Sequence, residues 1–242
     1  MTRLFHVSDI HFGAEDRAAL DWFAAAVAHE VPDAVIVTGD LTMRARRREF
    51  AAAAEWLAAL GRPVTVEVGN HDLPYFNPLA RLFNPYGRYR AVEAMIERPL
   101  SLAGVSIVPL RTTARAQWRL NWAQGRVGQR ALTETLALLD TVPDDHVVLI
   151  ACHHPLIDAE TRTRARTHGG RAALEALTRR GADAVLTGHV HYPFDIAHRI
   201  DDATVRLIGA GTLSERLRDA PPSFNELVIA DGAITTRHRM MD

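Results

Sequence analysis

The chain holds one cysteine, Cys152, in 242 residues, which excludes an intramolecular disulfide framework and suits a reducing compartment. It has no long apolar run. The opening "MTRLFHVSDI" turns charged too early for a signal peptide or a membrane span, so a cytoplasmic protein is expected. A charge excess is missing as well: 28 Lys and Arg face 29 Asp and Glu, for a formal net charge of -1. That balance argues against the broad basic field of a dedicated nucleic-acid binder. Repeats, low-complexity tracts and linkers are also wanting, so one domain over residues 1–242 is the economical expectation.

What is present is a chain that can bury a sizeable core, 48% hydrophobic and 24% charged. Short apolar runs alternate with helical patterns. Leu4 to Ser8 reads as a buried strand, Leu20, Phe23 and Val27 recur at helical spacing, and "DAVIVTGD" supplies a second strand. Phe50, Ala53, Leu57 and Leu60 share the face of a second helix that Gly61 and Pro63 end before the strand "VTVEV". Residues 73–98 read as a long loop with one short helix at Tyr89 to Ile96. Strands follow at Gly104 to Leu110, His146 to Ala151 and "ADAVLTGHVH", with helices through Leu132, Leu136 and Leu139 and over Gly170 to Arg180. From about Phe194 the pattern is β-rich, with Thr204 to Ile208, Asn225 to Ala230 and Ala233 to Arg237 as strands.

Chemistry-bearing residues stand at the strand ends. "SDIH" brings Asp9 and His11, "TGD" Asp40, "GNHD" Asn70, His71 and Asp72, "CHHP" His153 and His154, and "TGHVH" His189 and His191. Ligands of open α/β sheets sit beyond the carboxyl ends of the strands, so these clusters should converge. Members of the Asp9/His11 and His189/His191 pairs are two apart and share a side of an extended segment. Gly39, Gly69 and Gly188 stand where the chain must turn without a Cβ. One histidine at a strand end is usually a hydrogen-bonded residue and nothing more. Repetition at successive strands points instead to an N/O ligand set suited to Mn, Fe or Zn, with no thiolate and hence no structural zinc knuckle.

The ordered blocks "SDIH … TGD … GNHD … CHHP … GHVH" resemble the calcineurin-like metallophosphoesterase superfamily over Asp9 to His191. The resemblance implies an α/β four-layered sandwich of two mixed β-sheets flanked by helices, with the β-rich tail from about residue 194 completing the second sheet. It implies two divalent metal ions, one on Asp9, His11, Asp40 and His191 and the other on Asp40, Asn70, His153 and His189. His153 is preferred to His154 by alignment with the family's forms of that block. The implied chemistry is hydrolysis at phosphorus by a hydroxide shared between the ions, with His71 serving the leaving oxygen and Asp72 either fixing the His71 ring or capping a turn.

Within the superfamily the blocks look most like the bacterial class III cyclic nucleotide phosphodiesterase and glycerophosphodiesterase branch, which implies a small phosphodiester substrate. Met43 stands where protein phosphatases of the superfamily carry a second Asp, which weakens that alternative. Arg44, Trp118, Asn121, Trp122 and His154 are candidate substrate contacts, each weighed against an ordinary structural role. Two rival readings remain: a pyrophosphatase or phosphomonoesterase acting on a nucleotide-linked or lipid-linked substrate, and a non-catalytic binding scaffold. Oligomeric state is left open, a homodimer included.

Overall fold

A computed structural model describes residues 1–74, 76–96, 100–114, 124–158 and 167–242. Along the chain run β1 (Thr2–Val7), α1 (Arg17–Glu30), β2 (Ala34–Val37), α2 (Arg47–Ala59), β3 (Val64–Val66), α3 (Pro78–Phe83), α4 (Gly87–Ile96), β4 (Val105–Pro109) and β5 (Gly125–Arg126). They are followed by α5 (Gln129–Leu139), β6 (Val147–Ala151), β7 (Thr167–His168), α6 (Gly170–Arg179), β8 (Ala184–Thr187), β9 (Phe194–Ile200), β10 (Ala203–Gly209), β11 (Ser223–Ala230) and β12 (Ala233–Met240).

Two five-stranded sheets carry the architecture, ordered β12-β11-β1-β2-β3 and β4-β6-β8-β10-β9. Each is mixed: β1, β2 and β3 are parallel with β11 antiparallel beside β1, while β4, β6, β8 and β10 are parallel with β9 antiparallel at the edge. Strand alternation sorts the apolar residues into layers. Leu4, Ile36, Leu149, Leu186 and Ile208 meet between the sheets. Phe5, Val35 and Val37 face α1, α2 and α4 on one side, and Val148, Ile150 and Val185 face α5 and α6 on the other. The result is the helix, sheet, sheet, helix sandwich that the resemblance implied.

Two expectations are corrected. Residues 73–98 do not form a loop with one short helix, because α3 and a longer α4 occupy much of that span. Asn77 accepts the Ala80 amide and Pro78 opens α3, so the Asn-Pro pair is a helix start and not only a turn signal. Tyr89, Val92 and Ile96 are the buried face of α4. The tail does not complete the second sheet alone. β9 and β10 do so, but β11 returns to pair with β1 and takes β12 with it. Packing explains the return: the Phe224 ring centre lies 4.8 Å from that of Phe5, tilted, and 4.9 Å from that of Phe23, edge-on, while Leu227 and Ile229 fill the inter-sheet layer.

A polar relay also crosses the buried layer. Asn225 donates to His6 Nδ1 at 3.2 Å and to the Gly209 carbonyl of the other sheet at 2.9 Å, while its oxygen receives His238 Nδ1 at 2.7 Å. His6 Nε2 then donates to Thr38 Oγ1 at 2.9 Å. Burial and the neighbouring His238 push the His6 pKa down from 6.5 to about 3. The unfolded chain takes up a proton there below about 6.5 and the folded one does not until about 3, so stability falls as pH falls through that window. Replacing His6 by Gln should therefore flatten the acid limb of urea-denaturation stability by about 1.4 kcal/mol per pH unit below pH 6.5. An unchanged acid limb in that variant would show that His6 titrates alike in both states.

Candidate metal centre

The parallel strands β1, β2 and β3 in one sheet and β6 and β8 in the other end at a common rim, and the loops that leave them carry the motif residues. The backbone there is strained. Asp9, His11, Asp40, His189 and His191 all have φ between 51° and 70°, in the left-handed region. Such a conformation costs a side-chain-bearing residue about 1–2 kcal/mol, so its recurrence at five motif positions marks a site held in shape by its surroundings. Gly69 and Gly188 serve close approach: a Cβ on Gly69 would fall on the Asp40 carboxylate, and one on Gly188 would fall on Ser8 and Asp9.

Two groups of acceptor atoms result. In the first, Asp9 Oδ1 lies 3.0 Å from His191 Nε2 and 3.6 Å from His11 Nε2, and the two imidazole nitrogens are 3.3 Å apart. In the second, His153 Nε2 lies 3.3 Å from Asp40 Oδ2 and 3.1 Å from Asn70 Oδ1. Asp40 Oδ2 is also 3.8 Å from His11 Nε2, so this carboxylate stands between the groups while its Oδ1 accepts the His71 amide at 2.8 Å. His189 lies beside the second group, its ring 5.3 Å from that of His153 and 4.5 Å from that of His154. Its amide donates to Asp9 Oδ2 at 2.7 Å.

Tautomers are set by backbone carbonyls, which can only accept. His191 Nδ1 donates to Arg216 O at 2.7 Å, His153 Nδ1 to Thr38 O at 2.7 Å, His71 Nδ1 to Met43 O at 2.8 Å and His11 Nδ1 to Thr42 O at 3.4 Å. In their neutral forms all four rings therefore turn Nε2 lone pairs toward the centre, the arrangement that orients imidazole ligands. Asp9 Oδ1 is buried and receives no hydrogen bond among the described residues. Lone pairs so packed repel unless a cation lies among them. Donors about 2.1 Å from a tetrahedral ion are about 3.4 Å apart, which is the spacing of both groups. The residues fit divalent ions.

Charges follow the same pattern. Burial would raise the carboxyl groups of Asp9 and Asp40, but His191 and His11 around the first and His153 and His71 around the second hold both well below the usual carboxylate range. Burial also opposes charge on His153, yet Asp40 outweighs it and lifts the imidazole to about 9. A proton then occupies the place between His153 and Asp40 that a cation would take. Burial and His153 push His189 down to about 3, leaving it neutral.

Other expected residues fall elsewhere. Asp72 does not reach the His71 ring. Its oxygens accept the amides of Leu41, Thr42 and Gly69 and the Thr42 hydroxyl at 2.9–3.2 Å, so it ties its own turn to the loop after β2. Burial and the Asp40 charge press its pKa up to about 7 against those donors. Arg44 packs 6.0 Å over the Phe76 ring, with its amide on Glu49. The His154 ring is braced by Thr112 Oγ1 at 3.0 Å and adjoins His153 and His189. Trp118, Asn121 and Trp122 lie outside the described residues. The motifs miss Arg216, whose Nη1 is 3.1 Å from His71 Nε2 and 3.3 Å from His11 Nε2. β10 is parallel to β8, so its carboxyl end reaches the same rim, and Thr212 there donates to Asp9 O at 2.6 Å. Following strand ends for cations as well as metal-type residues would have found Arg216.

The family model described as "Calcineurin-like phosphoesterase" matches residues 2–193. The chain belongs to this family. Among curated relatives, a subunit of the SbcCD nuclease of Staphylococcus epidermidis is 26% identical over 80% of this chain and 58% of its own length. The "Probable cyclic nucleotide phosphodiesterase" of Synechococcus sp. is 27% identical over 78% of this chain and 72% of its own. "Glycerophosphodiester phosphodiesterase GpdQ" of Enterobacter lignolyticus is 32% identical over 31% of this chain and 33% of its own. The chain thus spans somewhat over half the length of the nuclease relatives it matches. A dimetal phosphatase from Danio rerio shares the fold, with a TM-score of 0.71 at 15% identity over 99% of this chain and 96% of its own.

The bonding of Asp72 predicts a structural effect. Asp72→Ala would strand the donors of two loops in a buried place and should lower unfolding stability by about 3 kcal/mol or more, read by urea denaturation in chelator. A loss under about 1 kcal/mol would contradict that placement.

Proposed function

We propose that this chain is a dinuclear metal-dependent phosphodiesterase, with Asp9, His11, Asp40 and His191 holding one ion and Asp40, Asn70, His153 and His189 the other. The observation that carries the reading is the pair of buried acceptor groups that share Asp40, with no hydrogen-bond donor at Asp9 Oδ1 among the described residues. Divalent ions bound there would supply Lewis-acid charge and lower the pKa of water at the site; the Mn, Fe and Zn ions all suit these N/O donors.

The chain's own residues complete the chemistry. His71 turns Nε2 to the centre from a ring fixed by Met43, where, protonated, it can give a proton to the leaving oxygen. Arg216 reaches the same space with a guanidinium that fits a non-bridging phosphate oxygen, and the carbonyl of the same residue orients His191. The carbonyls of Thr38, Thr42 and Arg216 hold the rings of His153, His11 and His191, so these ligands are positioned before any substrate arrives. Diester preference is supported by the relatives named as cyclic nucleotide and glycerophosphodiester phosphodiesterases. Among the described residues no helix is long and apolar enough to cross a membrane, and a cytoplasmic setting accords with the single buried thiol of Cys152.

The test is side-by-side turnover of bis(p-nitrophenyl) phosphate, a phosphomonoester, a nucleotide sugar and single- and double-stranded DNA with added Mn. The small diester should turn over fastest. Asp40→Ala should lose both metals and at least about a thousandfold in rate, whereas His71→Ala should keep both metals and lose about a hundredfold. Full diester activity in Asp40→Ala, or a panel led by another substrate, would defeat the proposal. The raised His153 pKa adds a second expectation. A metal must displace that proton, so affinity should rise about tenfold per pH unit up to about pH 9. Flat Mn affinity between pH 6.5 and 8.5, measured by titration calorimetry, would remove His153 from the ligand set.

A further inference from the structure

We infer that a second, separate pocket binds the diphosphate group of a small phosphorylated molecule. A cavity of about 530 Å³ opens between α4, the segment after β4, and the start of α5, lined by Arg90, Arg111, Arg126 and Arg130 together with Tyr86 and Glu134. None of the metal-centre residues lines it. Every basic side chain of this sequence other than histidine is arginine, and guanidinium groups grip phosphate through two parallel hydrogen bonds.

The charges in the pocket are not balanced. Arg130 and Glu134 pair with each other at 2.7 Å on the exposed rim. Arg90, Arg111 and Arg126 form no salt bridge among the described residues, although Arg111 lies near enough to help Arg130 hold the Glu134 carboxyl below its ordinary range. Arg111 lies over the Tyr86 ring, its guanidinium carbon 4.6 Å from the ring centre, while the Tyr86 hydroxyl donates to the Thr113 carbonyl at 3.1 Å. The Arg111 Nε atom is buried and makes no hydrogen bond among the described residues. Four arginines against one carboxylate, with room beyond a single oxyanion, suit a diphosphate better than inorganic phosphate.

Metal-free protein, treated with chelator, separates this pocket from the centre. Calorimetric titration with pyrophosphate at low salt should show one saturable site, with inorganic phosphate and citrate at least about tenfold weaker. Arg90→Gln and Arg126→Gln alter exposed side chains, and each should weaken pyrophosphate about three- to tenfold with melting temperature unchanged. Binding should persist in Asp40→Ala. The inference is overturned by the absence of saturable heat up to millimolar pyrophosphate, by equal affinity for citrate, or by loss in Asp40→Ala with full binding in the arginine variants. None of these outcomes depends on whether diesters are hydrolysed.

Discussion

The buried carboxylate of Asp40 is the constraint from which the rest follows. It stands between His11 at 3.8 Å and His153 at 3.3 Å, held ionised in a place where burial alone would favour the neutral acid. Without a cation this cluster is a concentration of lone pairs, and the folded chain must carry that repulsion. The protein does so by fixing each donor from behind. Carbonyls of Thr38, Thr42 and Arg216 set the imidazole tautomers, and left-handed backbone at five of the motif residues aims them inward. Strain of this kind persists only where the scaffold over-determines the geometry.

The scaffold supplies that rigidity through its layers. Parallel strands from both sheets end at one rim, and the inter-sheet packing of Leu4, Ile36, Leu149 and Leu186 fixes the distance between the two sets of loops. The Asn225 relay from His6 to Gly209 pins the sheets to each other with hydrogen bonds as well as apolar contact. β11 extends the same logic. By returning to β1 it brings the end of β10, with Thr212 and Arg216, against Asp9 and His71. Gly69 and Gly188 let these loops close on the carboxylates that they surround.

Much of this was legible in the sequence, for identifiable reasons. Each donor stands directly after an apolar run, so local order carried it. The extended spacing by two did not hold: Asp9, His11, His189 and His191 lie in left-handed turns, and His189 falls beside the second group while His191 joins the first. The helices over Leu20 to Val27 and Phe50 to Leu57 announced themselves by period. Residues 73–98 did not, because the turn signals of Asn77 and Pro78 also start helices. Asp72 could be placed beside His71 by sequence but not oriented, since whether its carboxylate meets a ring or an amide depends on the loop after β2, some thirty positions away. Arg216 lacked any motif and became part of the site only through strand order.

The sequence by itself determined the donor types, their order and the family, because each rests on residues adjacent along the chain. Tertiary structure alone decided which donors face one another, which Nε2 lone pairs point inward, where Asp72 turns and which arginines gather around Tyr86. Those are distances between segments as far apart as Asp9 and His191, 3.0 Å between their nearest donor atoms. Only the packing of two sheets against each other sets such distances, and no local preference of either segment encodes them.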